Sequence, residues 1–200
     1  MSAPAGLAVH IVDDEEALRD ALAFLFASRG IAARTWPSGE AFLAAWPQGD
    51  CGCIILDVRM EGMSGPQVLD ALNALDPRPA GLPPVIFLTG HADVPLAVQS
   101  LKAGAFDFLE KPFNDNQIVD LAMKAISIRQ DRAARADRVE SLSAREHQVM
   151  QLMLEGQLNK QIADRLGIAT RTVEVHRARV LQKMGARNVA ELAQIVAGLA

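Results

Sequence analysis

The tightest constraint on this chain is an arrangement repeated through its first 125 residues. Short apolar runs, each ending in a polar residue, alternate with stretches of helical periodicity. Ala8 to Val12 reads as a buried strand that runs into Asp13 and Asp14. A helix with Leu18, Leu22 and Leu25 on one face follows and stops near Gly30, a suitable C-terminal cap. Ile31 to Trp36 forms a second strand and Ser38 opens a short helix. Cys53 to Leu56 is a third strand, ending at Asp57. Pro66 suits the first turn of the next helix, which should carry Val68, Leu72 and Leu75 inward. Val85 to Leu88 is a fourth strand, ending at Thr89, and the helix after Asp93 tolerates Pro95 in its first turn. Ala105 to Leu109 is a weaker fifth strand, followed by Lys111-Pro112. A last helix opens at Asn114, with Gln117 completing a capping-box pattern.

Five strand–helix repeats predict an α/β fold, a doubly wound five-stranded parallel sheet. Ligands of such sheets bind at the carboxyl ends of the strands. Asp13, Asp14, Asp57, Thr89 and Lys111 all fall there. Three carboxylates brought together repel one another unless a cation is present. Oxygen ligands of this kind suit Mg²⁺. A carboxylate oxygen left free can attack phosphorus and form an aspartyl-phosphate. Lys111 and the Thr89 hydroxyl could then hold phosphoryl oxygens, stabilising charge during transfer.

From residue 126 the character changes. Residues 1–125 hold 8 Lys/Arg against 16 Asp/Glu, whereas residues 126–200 hold 12 against 8. An acidic module is thus joined to a basic one that could face an anionic polymer. Residues 126–140 lack Gly and Pro and read as a helical extension or semi-rigid linker. Beyond them the pattern is all-α, a four-helix arrangement over residues 141–200. Ser143 with Glu146 caps the first helix, Asn159 to Leu166 is the second, and Gly167-Ile168-Ala169 makes a turn. Thr170 to Met184 is the third, and Asn188 with Glu191 caps the fourth. This is the spacing of a helix-turn-helix, whose second element enters the major groove of DNA. Val173, Val180 and Met184 lie on one stripe and should face the core. Arg171, Glu174, Val175, Ala178 and Gln182 then face base edges, while Arg177, Arg179 and Lys183 flank them and could neutralise phosphates.

Residues 5–125 resemble the receiver domains of response regulators. The residues that carry the resemblance are Val12-Asp13-Asp14, Ile55-Leu56-Asp57, Leu88-Thr89-Gly90 and Glu110-Lys111-Pro112-Phe113, in that order. The resemblance implies that Asp57 is the phosphorylated residue. It implies Mg²⁺ held by Asp14, Asp57 and the carbonyl of Arg59, with Asp13 acting directly or through water. It also implies a cis Lys111-Pro112 bond, and Thr89 with Phe108 as a switch pair. In that pair the ring turns inward when the phosphoryl group draws the hydroxyl, reshaping the face made by the helix after Asp93 and the fifth strand. Where the family commonly has Met-Pro after the phosphorylated aspartate, Met60 is followed here by Glu61. A rigid residue is lost and an acid is gained beside the pocket, a change that bears on Mg²⁺ affinity and dephosphorylation rate. His91 either lines the approach to the phosphoryl group or is a plain surface residue.

Residues 141–200 are similar to the LuxR-type output domain of NarL/FixJ regulators. Leu142-Ser143-Ala144-Arg145-Glu146, Asn159-Lys160-Gln161-Ile162-Ala163, Thr172-Val173-Glu174-Val175-His176 and Lys183-Met184 carry this resemblance. It implies double-stranded DNA as partner, with contacts from Lys160, Arg171, Thr172, Glu174, Val175, Arg177, Ala178 and Lys183. Together the two resemblances imply a phosphorylation-dependent transcriptional regulator served by a sensor histidine kinase. They also imply a homodimer on activation, contact with RNA polymerase, and no enzymatic turnover beyond the receiver's own phosphotransfer and slow autodephosphorylation.

Two rival readings fit less well. A phosphatase of the haloacid dehalogenase type would carry its aspartates as Asp-x-Asp on the first strand, not as an adjacent pair. A receiver acting through protein or RNA contacts would not need the basic bias of the last helices. No apolar run is long enough for a membrane span, and the start lacks the pattern of a secretion signal, so a cytoplasmic protein is expected. Cys51 and Cys53 stand too close together to staple a fold and read as small apolar residues near a strand.

Overall fold

The computed structural model describes residues 6–46, 50–75, 81–90, 101 and 104–198. The strands are β1 (Ala8–Val12), β2 (Ala32–Trp36), β3 (Cys51–Asp57), β4 (Val85–Thr89) and β5 (Asp107–Glu110). They form one parallel sheet in the order β2-β1-β3-β4-β5. This is the doubly wound α/β fold the sequence predicts. The strand order reverses between β1 and β3, so the crevice beyond their carboxyl ends is the natural ligand position.

The central strands are apolar throughout because both faces of the sheet are covered. Successive residues point to opposite faces. Val9, Ile11, Ile55, Ile86 and Leu88 pack with Leu22 and Phe26 of α1 (Glu16–Ser28). Ile118, Ala122 and Ile126 of α4 (Asp115–Glu140) complete that layer. Val12, Ile54, Leu56, Val85 and Phe87 pack on the other side with Phe42 of α2 (Gly39–Ala44). Val68, Leu69 and Leu72 of α3 (Gly65–Leu75) lie on that side too. Phe26, Phe42 and Phe87 are fully buried, each contributing about 1.5–3 kcal/mol of transfer free energy.

One local expectation needs correction. Leu75 is 58 % exposed, and Leu69 takes the inward position instead. Leu75 is the last residue of α3, and that terminal position leaves it open to solvent. The strand read at Ile31–Trp36 is observed as β2 and is largely exposed after Ile31. It is the sheet edge, paired only with β1.

The chain divides into two compact units, the first running to Gln130 and the second starting at Asp131. The boundary falls within α4. Its residue Val139 packs against the core of the second unit. That unit contains α5 (Ala144–Leu154), α6 (Asn159–Leu166), α7 (Thr170–Met184) and α8 (Val189–Ala197). Both bonds of the Ser143–Glu146 capping box form, and Asn188 Oδ1 accepts from the Glu191 N–H. Gly167 takes a left-handed φ of 65° between α6 and α7, a turn that glycine makes without steric cost. Val149, Ile162, Val173, Val180, Met184 and Leu192 are completely buried. The inward stripe read on α7 is therefore the one observed. Among the described residues no helix is long and apolar enough to cross a membrane.

Candidate functional site

The loop after β1, the end of β3 and the loop after β5 meet at the carboxyl edge of the sheet. Asp13 and Asp57 are both buried there, 1 % and 7 % exposed. Between them lies Lys111, whose Nζ is 2.6 Å from Asp57 Oδ1 and 3.0 Å from Asp13 Oδ2. One ammonium thus bridges two buried carboxylates contributed by residues 98 and 54 positions away in the chain. Backbone groups hold the remaining oxygens. The Glu15 N–H donates to Asp13 Oδ1 at 2.8 Å, and the Arg59 N–H donates to Asp57 Oδ2 at 2.8 Å. Asp14 is exposed, and its Oδ2 accepts from the Glu61 N–H at 2.9 Å. The Lys111-Pro112 bond is cis.

Burial pushes the Asp57 carboxyl above its ordinary pKa, and the Lys111 hydrogen bond and charge oppose that rise. For Lys111, burial pulls downward. The hydrogen bonds and charges of Asp57 and Asp13 outweigh it, so the ammonium is held above its usual value. The net arrangement is a charged lysine beside acids whose desolvation a cation relieves.

These residues suit a hard divalent ion. The donor set is all oxygen, it comes from adjacent loops, and one lysine leaves it short of positive charge. Among the described residues no three His, Cys, Asp or Glu side chains already stand at mutual metal-ligating geometry. Asp13 and Asp57 accept from the lysine, and Asp14 accepts from the Glu61 N–H.

Thr89 is fully buried at the end of β4, with its hydroxyl donating to the Gly90 carbonyl at 3.0 Å. Phe108 is paired with Phe87 across the β4–β5 ladder and packs against the core on that side. Thr89 lies two residues beyond Phe87, so Thr89 and Phe108 share one sheet face. His91 and the helix read after Asp93 lie outside the described residues.

Sequence reasoning missed three participants. The Arg19 guanidinium donates to the Asp13 carbonyl at 2.8 Å. Glu40 Oε1 accepts from the Met63 N–H at 2.8 Å, tying α2 to the loop after Asp57. Gly65 packs so closely on the Asp57 carbonyl and the Phe87 ring that any side chain there would collide with them. No local motif marks these roles. Each depends on how separate elements meet.

In the second unit, Arg171, Thr172, Glu174, Val175, Ala178 and Gln182 are all exposed on α7. Val175, at 47 %, is one of the few large apolar side chains left open to solvent. Many of the unit's cations are spent on its own architecture. Arg145 donates to the Leu166 carbonyl at the end of α6, and Arg138 to the Met184 carbonyl at the end of α7. Arg165 pairs with Glu155, and Arg187 with Glu191. Lys183 is also engaged, with Nζ at 2.7 Å from Glu146 Oε2 and 2.9 Å from the Ser141 carbonyl. Lys160, Arg171, Arg177 and Arg179 carry no such bond among the described residues. His176 Nδ1 is buried without a hydrogen-bond partner.

Residues 9–123 match the family model described as the response regulator receiver domain. Residues 140–196 match the model described as bacterial regulatory proteins, luxR family. The chain is a response regulator of the NarL/FixJ type. The regulator is 72 % identical to the C4-dicarboxylate transport transcriptional regulatory protein DctR of Rhodobacter capsulatus, over 94 % of this chain and 98 % of the relative. It is 46 % identical to the transcriptional regulatory protein FixJ of Azorhizobium caulinodans, over 98 % of this chain and 96 % of that one. Among solved structures, full-length FixJ from B. japonicum aligns with a TM-score of 0.58 at 39 % identity, covering 98 % of both chains. The response regulator StyR aligns with a TM-score of 0.60 at 36 % identity, covering 96 % of this regulator and 99 % of that chain. A receiver joined to a LuxR-type helix-turn-helix makes this a phosphorylation-dependent transcriptional regulator that binds DNA.

Proposed function

We propose that Asp57 is the phosphoacceptor of this regulator and that Asp13, Asp14, Asp57 and the Arg59 carbonyl hold Mg²⁺. The phosphoryl group comes from the phosphohistidine of a sensor kinase. The carried observation is the Lys111 ammonium shared by Asp13 and Asp57 at the switch point of the sheet. An Asp57 oxygen attacks phosphorus as the phosphorus–nitrogen bond to the donor histidine breaks, and the leaving imidazole takes up a proton. When bound, Mg²⁺ supplies Lewis-acid stabilisation of the phosphoryl oxygens. Lys111 is positioned to follow the charge from carboxylate to phosphoryl oxygen, and the Arg59 N–H steadies the oxygen that does not attack. Thr89 gives up its bond to the Gly90 carbonyl to reach the phosphoryl group, and Phe108 turns into the space it leaves. Phosphorylation need only favour one of two conformers by a few kcal/mol to move the population. Water then attacks the phosphorus slowly, the Asp57 oxygen–phosphorus bond breaks, and inorganic phosphate leaves with the carboxylate regenerated.

In this reading the receiver spans 5–125, a helical connection spans 126–140 and the DNA-binding domain spans 141–200. The first turns of α7 enter the major groove of double-stranded DNA. Arg171, Thr172, Glu174, Val175 and Ala178 face the bases, while Lys160 and Arg177 meet phosphates. Lys183 joins them through the N–H that its bonds to Glu146 and Ser141 leave free. The active form is a cytoplasmic homodimer on paired half-sites that contacts RNA polymerase.

Incubation with labelled acetyl phosphate and Mg²⁺ tests the acceptor. Wild-type protein should be labelled and Asp57→Asn should not. Persistent labelling of that variant would refute the assignment.

A further inference from the structure

The loop between β3 and α3 departs from the family pattern at Glu61, where a proline commonly stands, and the structure gives that departure a role. The geometry points to the backbone N–H of Glu61 as a positioning group for Asp14, one that a proline could not supply. This inference rests on the reading of Asp14 as a cation ligand.

Asp14 is the exposed member of the acidic set, on the loop after β1. An unrestrained aspartate samples several rotamers and loses that freedom on binding an ion. Here Oδ2 is fixed by the Glu61 N–H at 2.9 Å. The bond is charge-assisted, so it is stronger than an ordinary amide contact. It also leaves the carboxylate's other lone pairs available, since each carboxylate oxygen can accept more than once. Hydrogen bonds that orient a ligating carboxylate are worth about 10- to 100-fold in metal affinity.

The donor must itself be held if it is to position anything, and the loop is pinned on its far side. Glu40 Oε1 accepts the Met63 N–H at 2.8 Å, and the Gly65 N–H donates to the Val58 carbonyl at 3.0 Å. Gly62 between them has φ 78°, and a Cβ there would lie 2.5 Å from Glu40 Oε1. That glycine lets Glu40 approach. Proline would stiffen the loop by locking its own φ but would carry no donor. Two N–H-to-carboxylate bonds replace that stiffness in this chain, and one of them ends on the proposed cation site.

The test compares Glu61→Pro, which removes the N–H, with Glu61→Gln, which keeps it and removes only the charge. Mg²⁺ affinity of the unphosphorylated full chain is measured by titration at moderate salt. Glu61→Pro should weaken binding about 10-fold, and Glu61→Gln should change it less than about 3-fold. Equal losses in both variants would assign the effect to the side-chain charge and overturn the inference, as would an unchanged Glu61→Pro. Amide exchange on metal-free protein supplies a second readout that does not need the proline variant to fold. The Glu61 N–H should be protected in wild type and lose protection in Asp14→Ala. A fast-exchanging Glu61 amide in wild type would also overturn the inference. Failure of wild type to bind Mg²⁺ while that protection is present would instead sink the reading of Asp14 as a ligand.

Discussion

Replacing Lys111 by methionine removes the one positive charge between Asp13 and Asp57 while keeping most of the side-chain volume. Breaking a fully buried ion pair from one side costs about 3–5 kcal/mol, and an exposed pair contributes about 0–1 kcal/mol. The Lys111 side chain is 29 % exposed, and its partners are 1 % and 10 % exposed. The cost should therefore lie between those limits, near 2 kcal/mol. For a unit of this size about 4 °C of melting temperature accompanies each kcal/mol, so the receiver transition should fall by about 8 °C. Calorimetry in EDTA measures this directly. Two further results are required by the same reasoning. Added Mg²⁺ should raise the melting temperature of Lys111→Met more than that of wild type, because a cation relieves the repulsion the lysine no longer offsets. Asp57→Asn should cost less in the Lys111→Met background than alone, with a coupling of at least about 1 kcal/mol. A drop of under about 2 °C in EDTA, or strictly additive effects, would refute the bridging role.

Other consequences are local. Leu158 stands at the N-cap of α6 with no side-chain acceptor and is 71 % exposed, so Leu158→Ser should stabilise the second unit by about 1 kcal/mol. An unchanged urea midpoint would contradict this. The Lys183 hydrogen bond, joined by the Ser143 N–H, lowers the Glu146 pKa from 4.5 to about 2. A carboxyl whose folded pKa lies below its unfolded value stabilises the fold above the unfolded value. That stability is lost as pH falls from about 4.5 towards 2. Lys183→Met should flatten this acid-induced loss in pH titrations of residues in the second unit, and an unaltered profile would argue against the pair. Arg177→Ala should weaken DNA binding similarly on all sequences and reduce the salt slope by about one, as read by titrations at several salt concentrations. Sequence-selective loss would instead place Arg177 on a base.

Much of the fold was legible because burial on both faces of a parallel sheet writes continuous apolar runs into the sequence. β1 and the ends of β3 and β4 could be placed from those runs alone. Helix caps were equally plain, since Ser143 with Glu146 and Asn188 with Glu191 act within a single turn. Leu75 misled for the same local reason. Its spacing fits the apolar stripe of α3, but it falls on the last residue of the helix and stays exposed. The partner of Lys183 was equally hidden, because charge and helical position cannot show that α5 offers a carboxylate 2.7 Å away.

Strand runs, strand ends and cap residues followed from the sequence itself, because their physics is short-range: periodicity, turn chemistry and the polarity of each run. The tertiary structure alone decided that Lys111 would sit between Asp13 and Asp57, that Glu40 and Asp14 would pin the loop after β3, and which cations of α7 remain unspent. Those facts depend on distances between residues tens of positions apart. The packing of the sheet and its helices sets such distances, and no local pattern encodes them.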